Sequence, residues 1–209
     1  MKAVPQLPHG YDKLGDIRLV KNTDLLVALN LLAIPLFVGS GWLFISAVRW
    51  FVPGFTLPDE YMLDFRALLT LLGAFVGIIV GVILLHEMVH GVFFWLFSGQ
   101  RPVFGMHWTY VYAAAPGWYF PRWQYLIVGL APLVLISLSG VLLLPLLPYA
   151  ALPGVVLALV INATGAIGDI YITGCLLCKP RHLLVLDQKD QITWYGLSLA
   201  PADGVKSAV

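Results

Sequence analysis

The sequence predicts an all-α membrane protein: four transmembrane helices, a small β-hairpin or re-entrant segment between helices two and three, and a short C-terminal hairpin. Three observations lead there. The 209 residues are 60% hydrophobic and 11% charged, more apolar surface than a soluble domain of this length can bury. Four apolar segments, about 24–48, 67–97, 124–148 and 151–178, each reach the roughly 20 residues that a crossing needs. Between and after them lie stretches where aromatic and β-branched residues mix with Gly, Pro and polar turn residues.

Taken in order, the first 23 residues are polar, contain Pro5, Pro8 and Gly10, and show no cleavable signal peptide. The first span carries Asn30 and Pro35, read as packing and kink features. The second could reach about 46 Å at 1.5 Å per residue, so it tilts or protrudes. Its Gly73, Gly77 and Gly81 recur every four residues. That stripe predicts close packing against a neighbouring helix, on the face roughly opposite His86 and His90.

Residues 101–123 (RPVFGMHWTYVYAAAPGWYFPRW) read as short strands or a re-entrant hairpin at the interface. Leu147 to Gly154, with Pro148 and Pro153, reads as a tight reversal before the fourth span. In the tail, 179–209, the run Leu183–Tyr195 has apolar flanks around Asp187-Gln188-Lys189-Asp190, the pattern of a small hairpin. The whole chain, 1–209, thus reads as one integral membrane domain.

Charge gives the orientation. Four crossings place both termini on one side with the 98–123 loop, and that side holds ten of the twelve Lys and Arg residues; Arg49 and Arg66 hold the other. The excess predicts cytoplasmic termini in a multi-pass plasma-membrane protein. A net charge of +1 offers no basic surface for nucleic acid, and two cysteines three residues apart make no disulfide framework.

The chemistry concentrates in His86-Glu87-Met88-Val89-His90, inside the second span. On a helix the two imidazoles stand one turn apart on one face and can bind one metal ion, while Glu87 lies where it can take a proton from water. With 5 His and 2 Glu in the chain, chance would give this pattern roughly 0.001 times, so composition alone does not account for it. A catalytic zinc usually takes three protein ligands. The only other glutamate, Glu60, belongs to the loop on the far side, which leaves Asp169 in the fourth span as the leading third ligand. Both ligand sets lie a similar number of residues before the cytoplasmic ends of their helices. Asn162, Ala166, Asp169 and Thr173 share one face of the fourth span, which should therefore turn inward.

HEMVH in one span and Asn162-Ala163-Thr164-Gly165-Ala166-Ile167-Gly168-Asp169 in a later one resemble the site-2 protease class of intramembrane zinc proteases. They are closer to a family of small bacterial membrane proteins described as "putative zincin peptidases", over about residues 67 to 195. The site-2 motif runs N-x-x-P-x-x-x-x-D-G; here Gly165 replaces the proline and Gly168 precedes the aspartate. The resemblance implies a bacterial zinc metalloendopeptidase acting on membrane-protein or membrane-associated peptide substrates. His86, His90 and Asp169 would hold Zn²⁺ and Glu87 would act as general base. Asn162 would assist at the oxyanion, or would instead serve as a helix–helix hydrogen-bonding residue. Two other classes compete: a metal or proton transporter using the same intramembrane His, Asp and Glu, and an inactive protease-like scaffold that binds membrane helices. Only four spans and no repeated halves argue against transport.

Overall fold

A computed structural model describes residues 2–19, 21–56, 64–107, 110–188 and 191–197. Residues 1, 20, 57–63, 108–109, 189–190 and 198–209 lie outside the described residues, and with them Asp59, Glu60, Lys189 and Asp190. The chain runs β1 (Tyr11–Arg18), α1 (Thr23–Phe51), α2 (Phe65–Ser98), β2 (Val103–His107), β3 (Tyr110–Ala114), β4 (Tyr119–Pro121), α3 (Arg122–Leu143), α4 (Leu152–Gly165), α5 (Ile167–Leu177), β5 (Leu184–Gln188) and β6 (Gln191–Leu197). Among the described residues, three helices are long and apolar enough to cross a membrane: α1, α2, and α3 with the 3-10 turn that extends it to Leu146. The pair α4–α5, bent by 41°, qualifies as a fourth span if taken as one.

Local chemistry sets the helix ends. Asn22 accepts from the Leu25 N–H at 3.0 Å and opens α1; Asp64 accepts from the Ala67 N–H at 2.7 Å and opens α2. Gly99 closes α2 in the left-handed region (φ 72°), where a Cβ would be strained. The fourth span was expected to be continuous, and it breaks at Gly165–Ala166. Two features account for the break. Thr164 Oγ1 donates back to the Val160 carbonyl at 2.7 Å, a bond that bends helices, and Gly165 follows with the weakest helix propensity after proline. Asp169 consequently stands in the first turn of a new helix, where the dipole favours a carboxylate.

The helices form the apolar body. Leu31, Val38, Trp42, Leu72 and Leu138 turn outward, as lipid-facing residues do. Inside, Phe44, Leu159, Val160 and Ala163 join α1 to α4, and Val48, Val52, Leu144 and Leu152 extend that seam. A second core of Phe94, Phe120, Tyr125, Val128, Ile172, Leu176, Val185 and Trp194 ties the ends of α2, α3 and α5 to a sheet.

Both expected hairpins are present, β2–β3 and β5–β6. The sheet is larger than expected. Its order is β1-β6-β5-β4, with all neighbours antiparallel, so the N-terminal strand pairs with the C-terminal one. Arg122 fastens this end: its Nη1 donates to the carbonyls of Leu176, Leu177 and Lys179, capping the last turn of α5.

The glycine stripe departs from its expectation. A Cβ at Gly73, Gly77 or Gly81 would meet nothing within 4 Å, so this face of α2 packs against no described residue. Close helix approach occurs at other glycines instead. A Cβ on Gly140 of α3 would come within 2.5 Å of Leu159 on α4, and one on Gly129 within 3.2 Å of Thr173 on α5. We predict that Gly140→Leu destabilises the detergent-solubilised protein by about 1–3 kcal/mol through overpacking. Gly77→Leu should stay within about 0.5 kcal/mol of wild type in the same unfolding measurement. Equal losses in the two variants would contradict this packing.

A candidate metal centre at the α4–α5 break

Helix α2 turns His86 and His90 to one face, as the HExxH spacing requires, and both are buried. Across from them, at the break in the fourth span, Asp169 Oδ2 lies 3.1 Å from His86 Nε2 and 3.6 Å from His90 Nε2. The three ligand atoms fall within 4.8 Å of one another. Two nitrogens and an oxygen bound tetrahedrally to zinc at about 2.0–2.1 Å would be about 3.3 Å apart, which these separations bracket.

The far side of each ring is also held. His86 Nδ1 faces Asn162 Oδ1 at 3.1 Å, and His90 Nδ1 faces the Val128 carbonyl at 2.9 Å. Both partners only accept, so each Nδ1 carries a proton, and in the neutral imidazole each Nε2 then turns a lone pair toward Asp169. Two lone pairs and a carboxylate oxygen converging on one point call for a cation between them. The donor set therefore fits a divalent metal, with the outer bonds that metal-ligating histidines make.

Each outer bond has a sequence cause. Val128 stands four residues before Pro132, which sits inside α3 and has no N–H. The Val128 carbonyl thus lacks its helical donor and is left to accept from His90. Asn162, 1% exposed, is fixed through Nδ2 by the Pro132 carbonyl at 3.4 Å and Ser137 Oγ at 3.5 Å, which turns its Oδ1 toward His86.

Glu87 lies beside the pair. Its Oε2 accepts from the Ala113 N–H at 2.8 Å, so strand β3 reaches the centre through its backbone. Two cavities meet here, both lined by Leu19, Glu87, Val111 and Asp169. One, about 180 Å³, continues toward Tyr125 and Asp187 under the sheet. The other, about 630 Å³, opens between α1 and α2 along Phe37, Val82 and Ile161.

All five residues singled out from the sequence, His86, Glu87, His90, Asn162 and Asp169, therefore surround one point. Sequence reasoning missed the Val128 carbonyl, the Ala113 N–H and the Tyr125–Asp187 pair. Pro132 was the available signal for the first. The others depend on long-range placement that leaves no local trace.

A helix-borne HExxH with a third acidic donor in a membrane protein defines a zincin-type site. Residues 78–184 match the family described as "putative zincin peptidase", and the chain belongs to it. That span runs from α2 to the start of β5 and contains every donor above. No curated protein and no solved structure matches the chain.

Zinc competition titrations should show His86→Ala and His90→Ala losing most affinity and Asp169→Asn a substantial part. Asn162→Ala should lose about 10–100-fold through the freed His86 ring. Pro132→Ala should weaken binding as well, because its new N–H competes for the Val128 carbonyl. Unchanged affinity in Asp169→Asn would remove it from the ligand set.

Proposed function

We propose that this protein is a site-2-protease-like zinc endopeptidase that cleaves polypeptides within or at the surface of the membrane. The observation that carries the reading is the convergence of His86 and His90 from α2 with Asp169 from α5, with Glu87 beside them where two cavities meet. A zinc ion held there would polarise the scissile carbonyl and lower the pKa of the attacking water.

The remaining steps belong to the chain. Glu87 takes the proton of that water and delivers it to the leaving nitrogen. The Ala113 N–H holds Oε2, which leaves Oε1 for the proton. Asn162 has its amide committed to His86, Pro132 and Ser137, so we assign it to orienting the His86 ligand rather than to the oxyanion.

The groove between α1 and α2 suits an apolar segment arriving from the bilayer, since both helices pack on α4 and its walls are largely apolar. A helical substrate hides its carbonyls and must unwind first. Strand β3 offers an edge for the unwound chain at Val111: the Ala113 N–H, held by Glu87, points away from β2, and alternation turns the Val111 backbone the same way. The excess of Lys and Arg on the side of the termini and the 98–123 loop supports a cytoplasmic location for the sheet and a cytoplasmic supply of water.

The test is substrate trapping in cells with Glu87→Gln, followed by mass spectrometry and assay of the captured proteins. The variant should keep its zinc, accumulate uncleaved membrane proteins and lose turnover by at least about 100-fold. Wild-type turnover in Glu87→Gln would sink the mechanism.

A further inference from the structure

The smaller cavity holds one polar pair for which hydrolysis as described has no task. Tyr125, near the start of α3, is 6% exposed, and its hydroxyl donates to Asp187 Oδ2 at 2.7 Å. Both line the cavity of about 180 Å³ shared with Glu87, His90 and Asp169. Tyr125 stands three residues before Val128, whose carbonyl holds His90, so one face of α3 presents both groups to the site. Asp187 arrives from β5, near the other end of the chain.

The direction of this hydrogen bond assigns the role. A carboxylate only accepts, so the phenol proton lies toward Asp187 and the phenol oxygen keeps its lone pairs for another donor. The pair thus offers acceptors beside the base. Peptide hydrolysis creates donors. The nitrogen has one N–H in the substrate, two once Glu87 has delivered the water's proton, and three after it takes the proton of the new carboxylic acid. Atoms balance: the water oxygen joins the carbonyl carbon, the C–N electron pair stays on nitrogen, and both water protons finish there. In a cavity walled by Phe94, Val128 and Ile172, an N–H without an acceptor is costly.

We infer that Tyr125, oriented by Asp187, accepts the N–H groups of the departing amine and that the smaller cavity is its exit side. Tyr125 is then a catalytic residue and Asp187 its positioning residue. This rests on the peptidase reading, and the experiment separates the two.

The probe is a fluorogenic peptide that the wild-type protein cleaves, selected from a library, together with the same sequence carrying an ester at the scissile bond. The ester releases an alcohol, which has no N–H. Wild type, Glu87→Gln, Tyr125→Phe and Asp187→Asn are compared in detergent, with zinc content measured for each. Glu87→Gln should lose both substrates. Tyr125→Phe and Asp187→Asn should keep zinc and lose about tenfold or more in kcat on the peptide, with KM little changed. Their ratio of ester to peptide turnover should rise by about the same factor. Equal losses on peptide and ester with zinc intact, or full peptide turnover, would overturn the inference. Wild-type peptide turnover in Glu87→Gln would overturn the Glu87 mechanism on which the inference rests, and a wild-type protein that cleaves no peptide of the library would overturn the peptidase reading itself. Tyr125→Phe keeps the ring in the core and removes only the hydroxyl, and Asp187→Asn keeps the side chain's size but replaces an acceptor-only carboxylate with an amide that no longer fixes the direction of the phenol proton, so either variant alone can decide the outcome.

Discussion

Ionisable groups inside an apolar bundle must satisfy one another, and the rest of this structure follows from that constraint. His86, His90 and Asp169 converge on one point, and neighbouring elements bend to let them. The fourth span breaks at Gly165–Ala166, where Asn162 on one side and Asp169 on the other both reach His86. Helix α3 gives up one backbone hydrogen bond at Pro132, and the freed carbonyl holds the second histidine. Strand β3 turns an N–H away from its own partner strand toward Glu87. Features that would weaken an ordinary helix or hairpin each supply a contact that the centre requires.

The small sheet gives this arrangement a firm end. Strand β1 pairs with β6, Arg122 caps α5, and Phe94, Phe120 and Trp194 pack beneath the strands. The connection after β1 brings Leu19 to the junction of the two cavities, and β5 brings Asp187 to Tyr125. The opposite side stays open between α1 and α2. A firm polar end and an open apolar flank are what a site needs if its water and its substrate arrive from different media.

Much of this was legible in the sequence because it rests on periodicity. The one-turn spacing of His86 and His90, the shared inward face of Asn162 and Asp169, the long apolar runs and both hairpins are local patterns. Three features were not. Tyr11–Arg18 contains Asp12, Lys13, Asp16 and Arg18 and lacks an apolar alternation; it is a strand because β6 pairs with it from the far end of the chain. Gly73, Gly77 and Gly81 record how closely a helix could be approached, not whether a neighbour stands at that depth, and their face is open. The break at Gly165 was hidden by the uniform hydrophobicity on either side of it. Pro132 was visible throughout, and its meaning becomes clear only when the carbonyl four residues earlier is asked for a partner.

The central claim is that two imidazoles and one carboxylate hold a zinc ion at the α4–α5 break. Zinc K-edge X-ray absorption on the purified, zinc-loaded protein tests it most directly. The account predicts a first shell of nitrogen and oxygen at about 2.0–2.1 Å, with the outer-shell scattering of two imidazoles and no sulfur. A sulfur shell at about 2.3 Å, which would point to Cys175 and Cys178, or a spectrum without imidazole scattering, would contradict it.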